Sequence, residues 1–214
     1  MHLQSKEEKE VYLRELTETY LLKDILALEN IRNASKIKDL LRLIAFQVGN
    51  QVSYQELGSQ LGMSKNTVEK YLDLLQKVFV LFKVEGFSRN LRKEITKSSK
   101  WYFFDNGLRN VLIANFKGIS SRLDIGQLWK NYIISERVKR LSYSNILVNS
   151  YFWRTYDQQE IDWVEERSGK LYAYEMKWNP KKKSKIPVAW EKAYAHSFFK
   201  QINPSNYLEW ILPK

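Results

Sequence analysis

The chain has 214 residues, 44% of them hydrophobic, no cysteine and a formal net charge of +11. This composition excludes a disulfide-stabilised protein, a thiolate metal site and an intrinsically disordered chain. No apolar run has membrane-spanning length and no signal-peptide core is present, so we expect a cytoplasmic protein without a membrane partner. The positive charge lies after residue 35, with +7 over 36–118 and +6 over 119–214. That distribution favours nucleic acid as a partner, and a lysine-rich surface that only aids solubility is the alternative.

Two helices are predicted before residue 50. Apolar residues spaced three or four apart predict helices over 5–30 and 36–48. Ser35 has the position of an N-cap for the second helix, and Gly49 follows its last apolar residue. The sequence therefore predicts a helical N-terminal region.

A helix-turn-helix is predicted over the next segment, 53–77. Ser53 and Glu56 have the spacing of a capping box, the short helix ends at Gly62, and Ser64 caps a second helix. Two helices joined by a tight turn that contains glycine make this motif. The outward positions of the second helix carry side chains that can contact phosphates and base edges. These are Lys65, Asn66, Thr67 and Lys70.

A hairpin with a basic tip is predicted behind the helix-turn-helix. Strand-like stretches cover 78–87 and 100–104. A helix-turn-helix followed by a hairpin is a winged helix, and a basic wing suits a phosphate backbone. The wing cations are Arg89, Arg92, Lys93 and Lys97. A winged helix that only contacts protein is the alternative.

A domain boundary is predicted in a link rich in glycine and serine, which gives domains 1–118 and 119–214. The second domain has the predicted order αβββαβ. Its helices cover 126–142 and 188–199, and its strands cover 146–153, 160–164, 171–178 and 207–212. Glu136 lies on the apolar stripe of the first helix, so it either pairs with a nearby cation or faces a metal site. A basic loop after the third strand either grips a phosphate or is simply solvated, and it carries Lys181, Lys182 and Lys183.

The second and third of these strands form a predicted hairpin around Ser168 and the glycine after it. A two-residue turn there places Asp162 opposite Glu175 and Glu160 opposite Lys177, with all four on one face. Opposed carboxylates repel, and a cation with oxygen ligands such as Mg²⁺ would relieve the repulsion. A charged face with cross-strand ion pairs is the alternative.

Both faces of this hairpin are also predicted to carry apolar residues, as in a strand inside an α/β layer. Strict alternation places Val164, Leu171 and Ala173 on the charged face. The opposite face receives Ile161, Trp163, Tyr172, Tyr174, Met176 and Trp178.

Asp162 followed by Glu175-Met176-Lys177 resembles the D…E-x-K signature of the PD-(D/E)XK nuclease superfamily. The resemblance implies that Asp162 and Glu175 hold Mg²⁺ or Mn²⁺, with Glu136 as a further candidate ligand. It also implies that Lys177 orients or activates the attacking water. A bound metal lowers the pKa of such a water and neutralises charge on the phosphoryl group. The implied activity is metal-dependent cleavage of duplex DNA.

The whole chain is similar to the C-terminal half of a family of bacterial and archaeal AAA+ ATPases, in which a winged helix and a PD-(D/E)XK-like domain follow a nucleotide-binding domain. The similarity is carried by TETYLLKDI at 17–25, SYQELGSQLGMSKNTVEKYLDLL at 53–75, KWYFFDNGLRNVL at 100–112, YFWRTYDQQEIDWV at 151–164 and YAYEMKW at 172–178. It implies an ATPase domain as a partner. No G-x-x-x-x-G-K-[ST] motif is present, so we expect no ATP hydrolysis by this chain itself. There are two alternative functions. One is a catalytically silent nuclease fold that serves DNA binding or protein assembly, and the other is a module that only contacts protein.

Overall fold

The computed structural model describes residues 5–17, 34–89 and 98–212. These residues form a mixed α+β fold with eight α-helices and seven strands. The chain divides into two compact units, one joining 1–82 with 103–122 and the other joining 83–102 with 123–214. The segment 83–102, which the sequence assigns to the first domain, therefore lies in the second unit. Within the described ranges, no helix combines the length and the apolar character that crossing a membrane requires.

The first unit is mainly helical. Its elements are α1 (Lys6–Glu15), α2 (Ala34–Phe46), β1 (Gln51–Val52), α3 (Tyr54–Leu61), α4 (Lys65–Lys77) and α5 (Asn106–Leu112), with a 3-10 turn at Ile119–Ser121. The apolar stripe of α2 is buried, including Ile37, Leu41 and Ile44. Because α2 begins at Ala34, Ser35 lies inside the helix and the prediction that it is the N-cap is wrong. The predicted helix 5–30 is present as α1, and its part beyond residue 17 lies outside the described residues.

Helices α3 and α4 are joined by the predicted glycine turn. The Ser64 hydroxyl accepts a hydrogen bond from the backbone N–H of Thr67 at 3.1 Å and so caps α4. Gly62 ends α3 in the left-handed region at φ 60°. A Cβ on Gly58 would lie 2.5 Å from the carbonyl oxygen of Met63. The turn can therefore approach α3 this closely only because residue 58 has no side chain.

The second unit is built on a mixed sheet. Its elements are β2 (Leu81–Gly86), β3 (Ser99–Phe103), α6 (Ile125–Tyr143), β4 (Asn149–Arg154), β5 (Glu160–Arg167), β6 (Lys170–Met176), α7 (Val188–Ala193), β7 (Phe198–Ile202) and α8 (Leu208–Ile211). The strand order is β3-β2-β4-β5-β6-β7. Strand β4 is parallel to β2, the pairs β4–β5 and β5–β6 are antiparallel, and β7 is parallel to β6. The predicted order of one helix, three strands, one helix and one strand is present from α6 to β7.

Two of the predicted elements near the C-terminus are wrong. The helix predicted over 188–199 ends at Ala193, and 198–202 is a strand that pairs with β6. The strand predicted over 207–212 is helix α8, because the carbonyl oxygen of Tyr207 accepts hydrogen bonds from the N–H groups of Trp210 and Ile211. In both places tertiary contacts override the local pattern of apolar residues.

The β5–β6 hairpin has the predicted turn and register. Ser168 and Gly169 both have positive φ, 48° and 71°, as a two-residue hairpin turn requires. Trp163 pairs with Tyr174, and the pairing continues without a shift to Arg167 opposite Lys170. Beyond this register, the backbone N–H of Met176 donates a hydrogen bond to the carboxylate of Asp162.

A β-bulge interrupts the alternation of β5. Tyr151 of β4 pairs with Val164, but Trp153 pairs with Ile161, so β5 has one extra residue in this interval. The prediction that Ile161 faces away from Val164 is therefore wrong, and both lie in one buried apolar cluster. The cluster comprises Phe87, Trp153, Ile161, Val164, Leu171, Ala173, Trp190 and Tyr194.

Candidate functional site

Asp162 lies in the bulge, and both of its carboxylate oxygens are engaged. Its residue surface is 2% exposed. Oδ1 accepts a hydrogen bond from the Nζ of Lys130 on α6 at 2.5 Å, and Oδ2 accepts one from the backbone N–H of Met176 at 2.9 Å. The bulge thus turns this carboxylate toward α6, and hydrogen bonds connect it to both α6 and β6.

Asp162 and Lys130 form an ion pair in which the carboxylate is buried and the lysine is partly buried. Burial alone would raise the pKa of Asp162, but the positive charges of Lys130 and Lys100 lower it below its ordinary value. Burial opposes the charge on Lys130 as well, and the attraction of Asp162 outweighs it, so the pKa of Lys130 is raised. Both groups are therefore ionised at neutral pH.

Glu175 lies beside this pair in a less favourable setting. Burial, and then the negative charge of Asp162, raise the pKa of Glu175. Lys177, two residues along the chain, donates a hydrogen bond to Oε1 of Glu175 at 2.6 Å. The Glu175 side chain is 15% exposed and that of Lys177 is 30% exposed. The opposition of Asp162 and Glu175 across the hairpin stays a prediction, and Lys177 compensates part of the charge on Glu175.

Glu160, which the predicted turn places opposite Lys177, forms its ion pair with Lys100 of β3, at 2.5 Å from Nζ to Oε1. Arg154 also approaches Glu160, at 3.3 Å. Lys100 is almost completely buried with its Nζ 4.8 Å from the centre of the Phe152 ring, and burial lowers its pKa. We call the resulting set of Lys100, Lys130, Glu160, Asp162, Glu175 and Lys177 the lysine–carboxylate cluster.

The cluster does not fit a divalent metal as its side chains stand. Glu136 forms a half-exposed ion pair with Lys139 at 2.7 Å, the first of the two alternatives considered for it. Among the described residues, no three aspartate, glutamate, histidine or cysteine side chains gather as metal ligands would. Mg²⁺ requires near-octahedral oxygen ligation. The Lys130 ammonium occupies the position next to Asp162 Oδ1 that such an ion would take. The involvement of Mg²⁺ or Mn²⁺ stays a prediction.

The side chains predicted to contact DNA fall into three groups. Lys65, Asn66 and Lys70 are exposed on α4, whereas Thr67 is half-buried and bonded to the Ser64 hydroxyl at 2.8 Å. Lys181, Lys182 and Lys183 are exposed in the loop after β6. Arg89 forms an ion pair with Glu166 at 2.5 Å, and Arg92, Lys93 and Lys97 lie outside the described residues.

Sequence reasoning missed Lys130 and Lys100. They reach their carboxylate partners across 32 and 60 residues of chain. Lys100 begins one of the stretches that carry the family similarity, but no spacing in the sequence links either lysine to the hairpin. The one available signal is that Lys130 lies on a predicted helix directly after Trp129. In the structure both of its neighbours in the sequence, Trp129 and Asn131, are buried.

Family models match both parts of the chain. Residues 1–120 match a domain of unknown function, DUF8612. The chain belongs to the DUF8612 family. Residues 125–205, which include the lysine–carboxylate cluster apart from Lys100, match a second domain of unknown function, DUF4143.

Curated relatives are longer than this chain. Uncharacterized proteins of Mycobacterium tuberculosis and Mycobacterium bovis are each 29% identical over 165 residues, which cover 74% of this chain and 36% of the relative. An uncharacterized protein of Haemophilus influenzae is 24% identical over 170 residues, covering 76% of this chain and 39% of the relative. The chain thus spans less than two fifths of these relatives. No solved structure matches it significantly.

Proposed function

We propose that this chain is a nucleic-acid-binding module in which a winged helix is followed by a nuclease-like domain with a silent site. Supporting the helix-turn-helix part of the winged helix, α2, β1, α3 and α4 follow one another in the first unit, with a glycine turn between α3 and α4. The predicted wing strands, β2 and β3, come next in the chain but belong mainly to the sheet of the second unit. Supporting the nuclease-like domain, the acidic residues and Lys177 of the D…E-x-K pattern meet at the open end of the β5–β6 hairpin.

Nucleic-acid binding rests on the first two turns of α4. Lys65, Asn66 and Lys70 are exposed there, on a helix whose N-terminus is capped by Ser64. Helix N-termini and lysine side chains both favour phosphate oxygens. The formal charge of +11 supplies the long-range attraction to a polyanion.

The silent site is supported by the ion pair between Lys130 and Asp162. Both oxygens of Asp162 already accept hydrogen bonds from the protein. The hydrogen bond from Lys130 must break before Oδ1 can ligate a metal in its place. In a buried position that exchange is unfavourable unless the displaced ammonium finds another partner. We therefore favour a module that binds nucleic acid without cleaving it.

An ATPase partner is part of the proposal. DUF4143 is often seen in proteins associated with AAA ATPases, and the relatives carry additional chain beyond the matched region. We propose that an ATPase domain of a longer protein, or a separate ATPase, acts on the nucleic acid that this module holds.

Metal-dependent cleavage of DNA is the second candidate function. It is favoured by the backbone hydrogen bond that ties Asp162 to Met176, the residue after Glu175, and by the position of Lys177 beside Glu175. Burial, and then the charge of Asp162, raise the pKa of Glu175. Cleavage would require Lys130 to leave Asp162. The plasmid assay at the end of the Discussion separates the two functions.

Binding to a labelled DNA duplex, followed by fluorescence anisotropy at several salt concentrations, tests the proposal. The double variant Lys65→Ala/Lys70→Ala should bind roughly tenfold more weakly, and the slope of log affinity against log salt should shrink by about 2. Lys77→Ala/Lys192→Ala is the matched control, because it removes the same charge at the far end of α4 and on α7. Its affinity should change by less than about twofold. Equal losses in the two double variants, or no salt-dependent binding by the wild type, would refute the proposal.

A further inference from the structure

We propose that Lys130 is a built-in substitute for a divalent cation, which blocks a latent cation site formed by Asp162 and Glu175. Removing the Lys130 ammonium is expected to open this site to Mn²⁺ or Mg²⁺. The inference deepens the silent-site part of the proposed function and names the residue responsible. It is independent of nucleic-acid binding.

The charges of the lysine–carboxylate cluster are already balanced. Three ammonium groups, those of Lys100, Lys130 and Lys177, face three carboxylates within hydrogen-bond distance. Adding a divalent ion would leave two excess positive charges in a largely buried space, which desolvation makes unfavourable. Removing one ammonium would instead leave one carboxylate without compensation.

Lys130 is the cation whose removal exposes a ligand. Lys100 is committed to Glu160 and Lys177 to Glu175, each at 2.5 to 2.6 Å. Among the described residues, Lys130 is the one whose side chain forms a hydrogen bond with Asp162, and Met176 holds the other oxygen through its backbone N–H. The freed Oδ1 would keep its position, because that backbone hydrogen bond fixes the carboxylate.

Glu175 can supply a second oxygen. It directly precedes Met176, whose backbone N–H holds Oδ2 of Asp162 at 2.9 Å. Its partner Lys177 is 30% exposed, so the ammonium can turn into water at small cost when a stronger cation arrives. Two carboxylates together with water molecules are a sufficient ligand set for Mg²⁺ or Mn²⁺.

The test compares thermal unfolding with millimolar MnCl₂ or with NaCl of equal ionic strength. The variants are the wild type, Asp162→Asn, Lys130→Met, Lys130→Met/Asp162→Asn and Lys139→Met. Lys130→Met keeps the apolar length of the side chain and removes its charge, so its Tm should fall by roughly 10 °C without metal. Mn²⁺ should restore about 4 °C. The Tm of the wild type, the double variant and Lys139→Met should change by less than about 1 °C with Mn²⁺.

Three outcomes would overturn the inference. One is Mn²⁺ stabilisation of the wild type that Asp162→Asn removes, because a metal would then bind with Lys130 in place. Another is a folded Lys130→Met protein that shows no Mn²⁺ stabilisation and no heat of binding in calorimetry. If Lys130→Met does not fold in NaCl, refolding in Mn²⁺ must recover it, and failure to recover it is the third.

No nucleic acid enters these measurements. Their failure would therefore leave the binding role of α4 untouched, and loss of duplex binding would leave the role of Lys130 untouched.

Discussion

Helix α6 makes two cation–carboxylate pairs with strand β5, and the two pairs differ in kind. Arg137 donates two parallel hydrogen bonds to Glu165, at 2.7 and 2.8 Å, with both side chains almost completely buried. Lys130 makes one contact with Asp162 at 2.5 Å and keeps 24% of its side-chain surface exposed. The indole N–H of Trp163 donates a further hydrogen bond to Glu165.

This difference separates a structural ion pair from an exchangeable one. A planar guanidinium in a bidentate pair donates two hydrogen bonds in fixed directions besides supplying a positive charge. A spherical ion supplies the charge alone and therefore cannot replace it. A lysine ammonium is a point charge on a flexible stem, and another cation can take its place. The Arg137 pair therefore holds α6 on the sheet, and the Lys130 pair neutralises an acidic site.

The largest expected effect is that of Arg137→Met. It removes both parallel hydrogen bonds from the fully buried Glu165 and leaves it only the longer ion pair with Arg167, at 3.9 Å. This should lower the free energy of unfolding by about 4 kcal/mol and the Tm by roughly 10 °C or more. Thermal unfolding measures this, with Lys139→Met as a control in which only a half-exposed pair is lost. Unlike Lys130→Met, the Arg137 variant should gain nothing from Mn²⁺. An equal rescue by Mn²⁺ would show that the two pairs do not differ as described.

Glu175→Gln is expected to raise the Tm, by less than Arg137→Met lowers it. The folded state raises the pKa of Glu175 above its ordinary value of 4.5 and so binds this proton more tightly than the unfolded state. Stability is therefore lost as pH rises from 4.5 through the folded pKa. Glu175→Gln removes that loss, and the Tm at neutral pH should rise by a few degrees.

Asp162→Asn should show the reverse dependence on pH. The folded pKa of Asp162 lies below its ordinary value of 3.8, so its carboxylate stabilises the protein above that pH and stops doing so as pH falls through the folded pKa. Thermal unfolding over a pH series that spans both ordinary values compares the two variants with the wild type. A fall in neutral-pH stability for Glu175→Gln would contradict the placement of the repulsion at Glu175.

Features determined by neighbours in the sequence could be predicted. The turn at Ser168 and Gly169, and the register from Trp163 to Arg167, follow from a positive-φ pair between two alternating stretches. The bulge could not be predicted, because it arises from the pairing of β5 with β4. The alternation of apolar and polar residues within β5 does not indicate it. Lys177, which pairs with Glu175, is part of the motif. The cations that pair with Asp162 and Glu160 come from α6 and β3, which are distant in the sequence, so these two contacts could not be predicted. Helix α8 was missed because a short aromatic and apolar run fits a strand as well as a helical turn.

Nicking of supercoiled plasmid in the presence of Mg²⁺ or Mn²⁺ tests most directly whether the lysine–carboxylate cluster is silent. Wild type and Glu175→Ala are assayed side by side, with duplex binding measured on the same samples. We expect both proteins to bind DNA and neither to nick it in a metal-dependent way. Nicking by the wild type that requires metal and disappears in Glu175→Ala would contradict this account and identify a metal-dependent nuclease.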